Sequence, residues 1–150
     1  MPVLVAAISD LGSQIIAVQR IYFRPNGLGK ANVPNPKLTL GRLRNGACRL
    51  APAGPELGLA EGIETGLSAM ELHRLPVWSA CSLRMDAIAS PNAVERLVIF
   101  ADNGRAGTQA AERAATQHER PGGAVEIKPP QLPYKDWNDV AKARAGMRAA

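Results

Sequence analysis

The hydrophobic pattern of this chain changes character near residue 54. Before that point, apolar residues come in extended runs: Val3-Leu4-Val5-Ala6-Ala7-Ile8, then the polar turn Ser9-Asp10-Leu11-Gly12-Ser13, then Ile15 to Phe23. Two such runs about a glycine-bearing turn predict a β-hairpin. Leu38-Thr39-Leu40 and Ala47-Cys48-Arg49-Leu50, on either side of Arg44-Asn45-Gly46, predict a second one. Arg24-Pro25-Asn26-Gly27-Leu28-Gly29-Lys30 between them is a loop dense in breakers and basic residues. Ala51-Pro52-Ala53-Gly54-Pro55 marks a boundary, because proline cannot donate to the ladder of a central strand. The expected division is a basic β-hairpin region over 1–53 and a second unit over 54–150.

In that second unit, short apolar runs alternate with helical patterns. Strands are expected at 57–60, 76–80, 97–101 and 124–127. A helix is expected over 64–74, with Ile63, Leu67 and Met70 on one face, and a short one over 83–89, stopped near Ser90-Pro91. A third helix should run from Arg105 to His118, and a terminal one from Val140 to Met147. Such alternation predicts an α/β fold, with a mainly parallel four-stranded sheet flanked by helices. Two of the strands stop at a carboxylate. Leu57-Gly58-Leu59-Ala60 runs into Glu61-Gly62, and Leu97-Val98-Ile99-Phe100-Ala101 runs into Asp102-Asn103-Gly104. Taken singly, Glu61 is a polar strand end and Asp102 a helix N-cap. Taken together, they sit where neighbouring parallel strands open onto one crevice, and a pair of acids there suits a hard divalent cation.

These strand ends resemble the Toprim domain, the metal-binding catalytic module of topoisomerases, bacterial-type primases and some nucleases. Its Glu-Gly signature matches Leu59-Ala60-Glu61-Gly62, and its Asp-x-Asp followed by Arg-Ala-Gly matches Asp102-Asn103-Gly104-Arg105-Ala106-Gly107. The run Leu59-Ala60-Glu61-Gly62-Ile63-Glu64-Thr65 and the closing Asp136-Trp137-Asn138-Asp139 are similar to primase-like Toprim proteins of phages, plasmids and integrated elements. The similarity spans about residues 54–141 and reaches the N-terminus more loosely. It departs from the family at Gly104, which stands where the second aspartate belongs.

The resemblance implies a Rossmann-like Toprim fold and Mg2+ (or Mn2+) held by Glu61 and Asp102 as the catalytic core, with Asp136 or Asp139 compensating for Gly104. It also implies primer synthesis, in which a primer 3′ hydroxyl attacks a nucleotide α-phosphate and releases pyrophosphate. The partners would be DNA or RNA and nucleoside triphosphates, together with a zinc-binding module and a helicase, since the chain has neither of these. A fragment of a longer replication protein, or a small subunit of one, is expected. Two alternatives stay open: a non-catalytic nucleic-acid-binding module whose metal site has eroded at Gly104, and a Toprim nuclease. A signalling receiver also ends a strand in an aspartate, but would explain neither Glu61-Gly62 nor the basic first third.

Charge sharpens this picture. The net charge is +5, yet residues 1–50 carry seven Lys/Arg against the single acid Asp10, whereas 51–100 carry three against six. A basic segment beside an acidic one suits a polyanion plus metal ions, although a basic hairpin face can equally serve solubility. Lys30, Arg42, Arg44 and Arg49 are therefore candidates for template or primer phosphates. Arg105 joins them, because it sits where a helix start would present backbone N–H groups. Asp136 and Asp139 could instead cap the last helix, and Trp137 reads as a packing anchor. Cys48 and Cys81 lack metal-ligand spacing, and His73 and His118 stand alone, so zinc is not expected. No apolar run approaches the length of a bilayer span, and the N-terminus lacks a basic signal region; a cytoplasmic protein with reduced cysteines is expected.

Overall fold

The computed structural model describes residues 1–149 and contains two sheets. β1 (Val3–Ser9), β2 (Ile15–Tyr22) and β3 (Lys37–Gly41) form an antiparallel sheet in that order. The second sheet contains β4 (Cys48–Arg49), β5 (Glu56–Ala60), β6 (Val77–Ser79), β7 (Arg96–Phe100) and β8 (Ala124–Ile127), in the order β4-β6-β5-β7-β8. β5 to β8 are parallel, and only the two-residue β4 is antiparallel, pairing with β6. The mainly parallel sheet expected from the alternation is present, with β4 added at one edge.

Period-two alternation explains how this sheet is covered. Leu57, Leu59, Leu97 and Ile99 point to one face, where they meet Ala110, Ala111 and Ala114 of α2 (Arg105–His118) and Met85. Val98 and Phe100 point to the other, with Ala60, and pack on Ala69 of α1 (Ile63–His73) and on Trp137 and Val140 of α3 (Trp137–Ala149). Each fully buried aliphatic side chain is worth about 1.5–3 kcal/mol. The small residues of α2 let the helix lie close to the sheet. A third cluster joins the two sheets: Ile8, Ala17 and Ile21 pack on Cys48 and on Ile63 at the start of α1.

Three expectations are corrected. The second hairpin does not form, because β3 pairs with β2 while β4 pairs with β6. Ala47 exchanges backbone hydrogen bonds with Ser9, both 3.0 Å, so the chain crosses the end of the first sheet and enters the second instead of folding back on β3. The segment expected as a helix over 83–89 is a single 3₁₀ turn, Met85–Ala87; the Ala89 N–H is drawn instead to the Asn45 carbonyl. Finally, α3 starts at Trp137 and not at Val140, because Asp136 Oδ1 accepts the Asp139 N–H at 2.8 Å and caps the helix.

Candidate metal and phosphate site

The site is assembled from the carboxyl ends of β5 and β7. These strands are hydrogen-bonded neighbours in register, with Ala60 opposite Phe100. Glu61 follows one residue after that pair and Asp102 two, so the strand spacing of about 4.8 Å brings both acids to one edge. Both line a cleft of about 280 Å³, together with Lys30, Lys37, Glu64, Asp136 and Asn138.

Each acid has its own support. The Glu61 carbonyl accepts a hydrogen bond from Ser79 Oγ at 3.1 Å, which ties its backbone to β6. Asp102 is braced by the loop after it. Asn103 Nδ2 donates to the carbonyls of Pro130 and Tyr134, at 2.9 and 2.7 Å, and its N–H donates to the Lys135 carbonyl. Gly107 lies so close that a Cβ there would fall 2.2 Å from the Asp102 carbonyl oxygen, so no other residue fits without moving the loop. Gly104 caps α2 at φ +107° and ψ 165°, a backbone region essentially restricted to glycine. The position that lacks the family's second aspartate thus also has a conformation in which an aspartate is strained.

Electrostatics divide the cleft. Burial pushes the Glu61 carboxyl up to about 7; the Asp102 charge pushes in the same direction, and Arg113 opposes it. Asp102 rises to about 6, through burial and then the charge of Asp136, against the pull of Lys37. Glu64, three residues along the chain, behaves oppositely. Burial would raise it, but the hydrogen bond from Lys37, its own backbone and the Lys30 ammonium beside it hold it at about 2. Lys37 Nζ lies 2.8 Å and Lys30 Nζ 3.0 Å from its two oxygens.

The expected site residues therefore fall into two groups. Glu61, Asp102, Asp136 and Lys30 share the cleft. Asp139 lies outside its lining and accepts the Lys135 N–H at 3.3 Å, completing the cap of α3 with Asp136. Arg105, Arg42 and Arg44 are exposed and do not line the cleft. Arg49 stacks on Trp78 at 4.6 Å and donates to the Asp10 carbonyl and to Ser13, bordering a different groove. Trp137 is a packing anchor: it meets Phe100 and His73 edge-on and donates to the Lys128 carbonyl.

Three residues escaped the sequence. Lys37 is one base among seven in the basic third, and nothing local distinguishes it. Gln19 had a signal: it sits between Ala17 and Ile21 on the inward face of β2, a polar residue in an apolar period. Asn103 looks like a turn residue but fastens two loops.

Oxygens of the paired acids lack partners. Glu61 Oε1 and Asp102 Oδ1 are buried without a hydrogen-bond donor. A carboxylate only accepts when ionised, so buried oxygens of two adjacent acids without donors suit a cation. Among the described residues, no group of three or more His, Cys, Asp or Glu is gathered to hold a metal. The donor set therefore fits a divalent ion with two protein carboxylates, and Asp136 nearby, better than a closed cage.

Comparison with known proteins places the fold. The Toprim domain family matches residues 56–146. The chain belongs to the Toprim family. A domain of unknown function, DUF7146, matches residues 1–50. No curated protein matches in sequence. Among solved structures, this Toprim chain is similar to the primase fragment of the bacteriophage T7 primase-helicase, with 19% identity and a TM-score of 0.66 over 98% of this chain and 60% of that one. It is similar to a DNA primase domain from Pseudomonas aeruginosa (14% identity, TM-score 0.61, 95% of this chain and 48% of that one). It also resembles the DnaG primase catalytic domain bound to ssDNA (12%, TM-score 0.67, 98% and 51%). The chain thus spans about half to 60% of the length of these neighbours. No helix among the described residues is long and apolar enough to cross a membrane.

Proposed function

We propose that this chain is the Toprim part of a cytoplasmic primase-like protein of a phage or other mobile element, carrying out magnesium- or manganese-dependent nucleotidyl transfer in primer synthesis on a nucleic-acid template. The pair of donor-free carboxylate oxygens at adjacent strand ends carries this reading. Glu61 and Asp102 hold the ion, with Asp136 assisting from the start of α3. When bound, the ion supplies neutralisation of phosphate charge and alignment of attacking and leaving oxygens. Lys30 and Lys37 line the same cleft and receive nucleotide phosphates when Glu64 releases them. Arg105, Arg42 and Arg44 extend a positive surface for the template, while Arg49 is committed to Trp78. The regions 1–53 and 54–150 act together, because the lysines come from one and the acids from the other. Nucleoside triphosphates, a zinc-binding module and a helicase are the partners this activity requires.

Glu61→Gln keeps the side chain's size but removes a charge the ion needs. In the complete primase-like protein it should reduce metal-dependent primer yield to background; unchanged yield would exclude Glu61 from catalysis. A second reading, a nucleic-acid-binding module with a weakened metal site, draws on Gly104. Single-stranded DNA binding that is equally strong with magnesium and with EDTA, without primer synthesis in the complete protein, would favour it.

A further inference from the structure

The three-stranded sheet has one face packed and one bare. Its inward residues Ile8, Ala17 and Ile21 join the cluster that holds it to α1. Register puts two cross-strand rows on the opposite face: Val5, Arg20 and Leu38 in one, and Ala7, Val18 and Leu40 in the other. Among the described residues, none of these six belongs to a core cluster. Val5 is 61% exposed and Leu40 63%. Aliphatic side chains adjoining on neighbouring strands make a contiguous apolar patch, which marks a contact surface as a lone exposed leucine does not.

Arg20 says what belongs there. It sits in the middle of the face, directly between Val5 and Leu38. Its Nε is buried without an acceptor, and no carboxylate among the described residues pairs with its guanidinium. The one acid of residues 1–50, Asp10, lies in the turn between β1 and β2 and accepts the Gln14 N–H. An apolar surface with a central unpaired cation calls for an apolar partner that carries a carboxylate. A second copy would bring another Arg20 and no acid, so two stacked faces would bury like charges. A nucleic-acid strand would find aliphatic side chains in these rows, not the aromatic platforms on which bases stack. Width sets the shape of the partner. Three strands at about 4.8 Å spacing cover about 10 Å, the diameter of one α-helix.

We propose that the outer face of the N-terminal sheet docks one amphipathic α-helix of a protein partner, with a carboxylate in its apolar stripe paired to Arg20. The helix lies over the two rows, its apolar side chains cover Val5, Val18, Leu38 and Leu40, and its acid neutralises the guanidinium between them. Gln19 and Lys37, which line the acidic cleft, alternate onto the other side of the same sheet. Docking on the outer face therefore does not rest on the metal-site reading.

The test uses the full chain, without metal or nucleotide, and a synthetic helical peptide of about five turns with a leucine stripe and one glutamate at its centre. A twin peptide carries glutamine in place of that glutamate. In 15N spectra the glutamate peptide should first shift the amides of Val5, Val18, Arg20 and Leu40, and it should bind about tenfold more tightly than its twin. Arg20→Gln should erase that preference, and Leu40→Lys should abolish binding of both peptides, with the amides of the parallel sheet unmoved in each variant. No shift at millimolar peptide, equal affinity for the two peptides, or shifts that begin elsewhere would overturn the proposal. So would a concentration-dependent dimer that Leu40→Lys dissolves, which assigns the face to a second copy. An oligothymidine that shifts the same amides while the peptides do not would assign it to nucleic acid, and would overturn the proposal equally.

Discussion

The two walls of the cleft hold their acids in opposite ways. On the wall made by the ends of β5 and β7, Glu61 and Asp102 are close to each other and to Asp136, with buried oxygens that no donor reaches. On the wall facing the N-terminal sheet, Glu64 is clasped by two lysines. Glu61 and Glu64 are less than one helical turn apart, yet one is raised to about 7 and the other lowered to about 2. Glu64 has one hydrogen bond, from Lys37, and a second cation, Lys30, beside its other oxygen, whereas Glu61 faces the like charge of Asp102. Perturbed groups in a cleft are where function concentrates, and here the perturbation comes from burial and like charge.

The contrast can be broken most severely at Gly107. A methyl there collides with the Asp102 backbone, so Gly107→Ala should cost about 3 kcal/mol in denaturant unfolding and abolish any stabilisation by magnesium. A loss below about 0.5 kcal/mol would mean that the loop carrying Asp102 is not pinned against α2.

The walls should also differ in sign. Removing charge from the unsatisfied wall relieves the metal-free protein: Asp102→Asn is expected to raise its stability by about 1 kcal/mol at pH 8, after allowing for solvent screening. Glu64→Gln breaks two ion pairs and is expected to lower stability by about 1 kcal/mol. Equal signs in thermal melts would remove the distinction between the walls.

Acidity gives a third, comparable test. Glu61 and Asp102 have native values of about 7 and about 6, above their ordinary 4.5 and 3.8, so the native state binds the extra protons. Their contribution is fully present below about pH 4 and is lost as pH rises through 6 and 7. Glu64 acts on the acid side, where stability is lost as pH falls from 4.5 toward 2. Metal-free protein should therefore lose about 1 kcal/mol between pH 5 and pH 8, and Glu61→Gln should flatten that slope. Divalent binding should strengthen over the same interval, since the ion needs ionised carboxylates. A wild-type slope that Glu61→Gln leaves unchanged would contradict these shifts.

The smallest effect concerns Gly104. Gly104→Asp restores the family's acid but forces it into a glycine backbone, so stability should fall by about 1–2 kcal/mol, with under a tenfold gain in manganese affinity. A much larger gain would show that the loop adapts freely.

What the sequence revealed follows from the range of each interaction. β5, β7 and β8 are short apolar runs bounded by breakers, and α2 runs from Arg105 to His118 as its pattern suggested. Glu61 and Asp102 were legible because strand ends in a parallel sheet converge by topology. The partner of β4 was not, because Ala47 and Cys48 are placed by Ser9 and Ser79, far away in the chain. Lys37 was hidden for the same reason, since its role depends on how two sheets dock. The alternative of a cap was legible: Asp136 and Asp139 both serve the start of α3, and Asp136 does so from within the cleft.

Paramagnetic broadening by Mn2+ tests the shared site most directly. In 15N spectra of the full chain, substoichiometric Mn2+ should first erase the amides of Glu61, Gly62, Asp102 and Asn103 together, and magnesium in excess should restore them. Broadening that begins elsewhere, or reaches only one of the two strand ends, would contradict a cation held between Glu61 and Asp102.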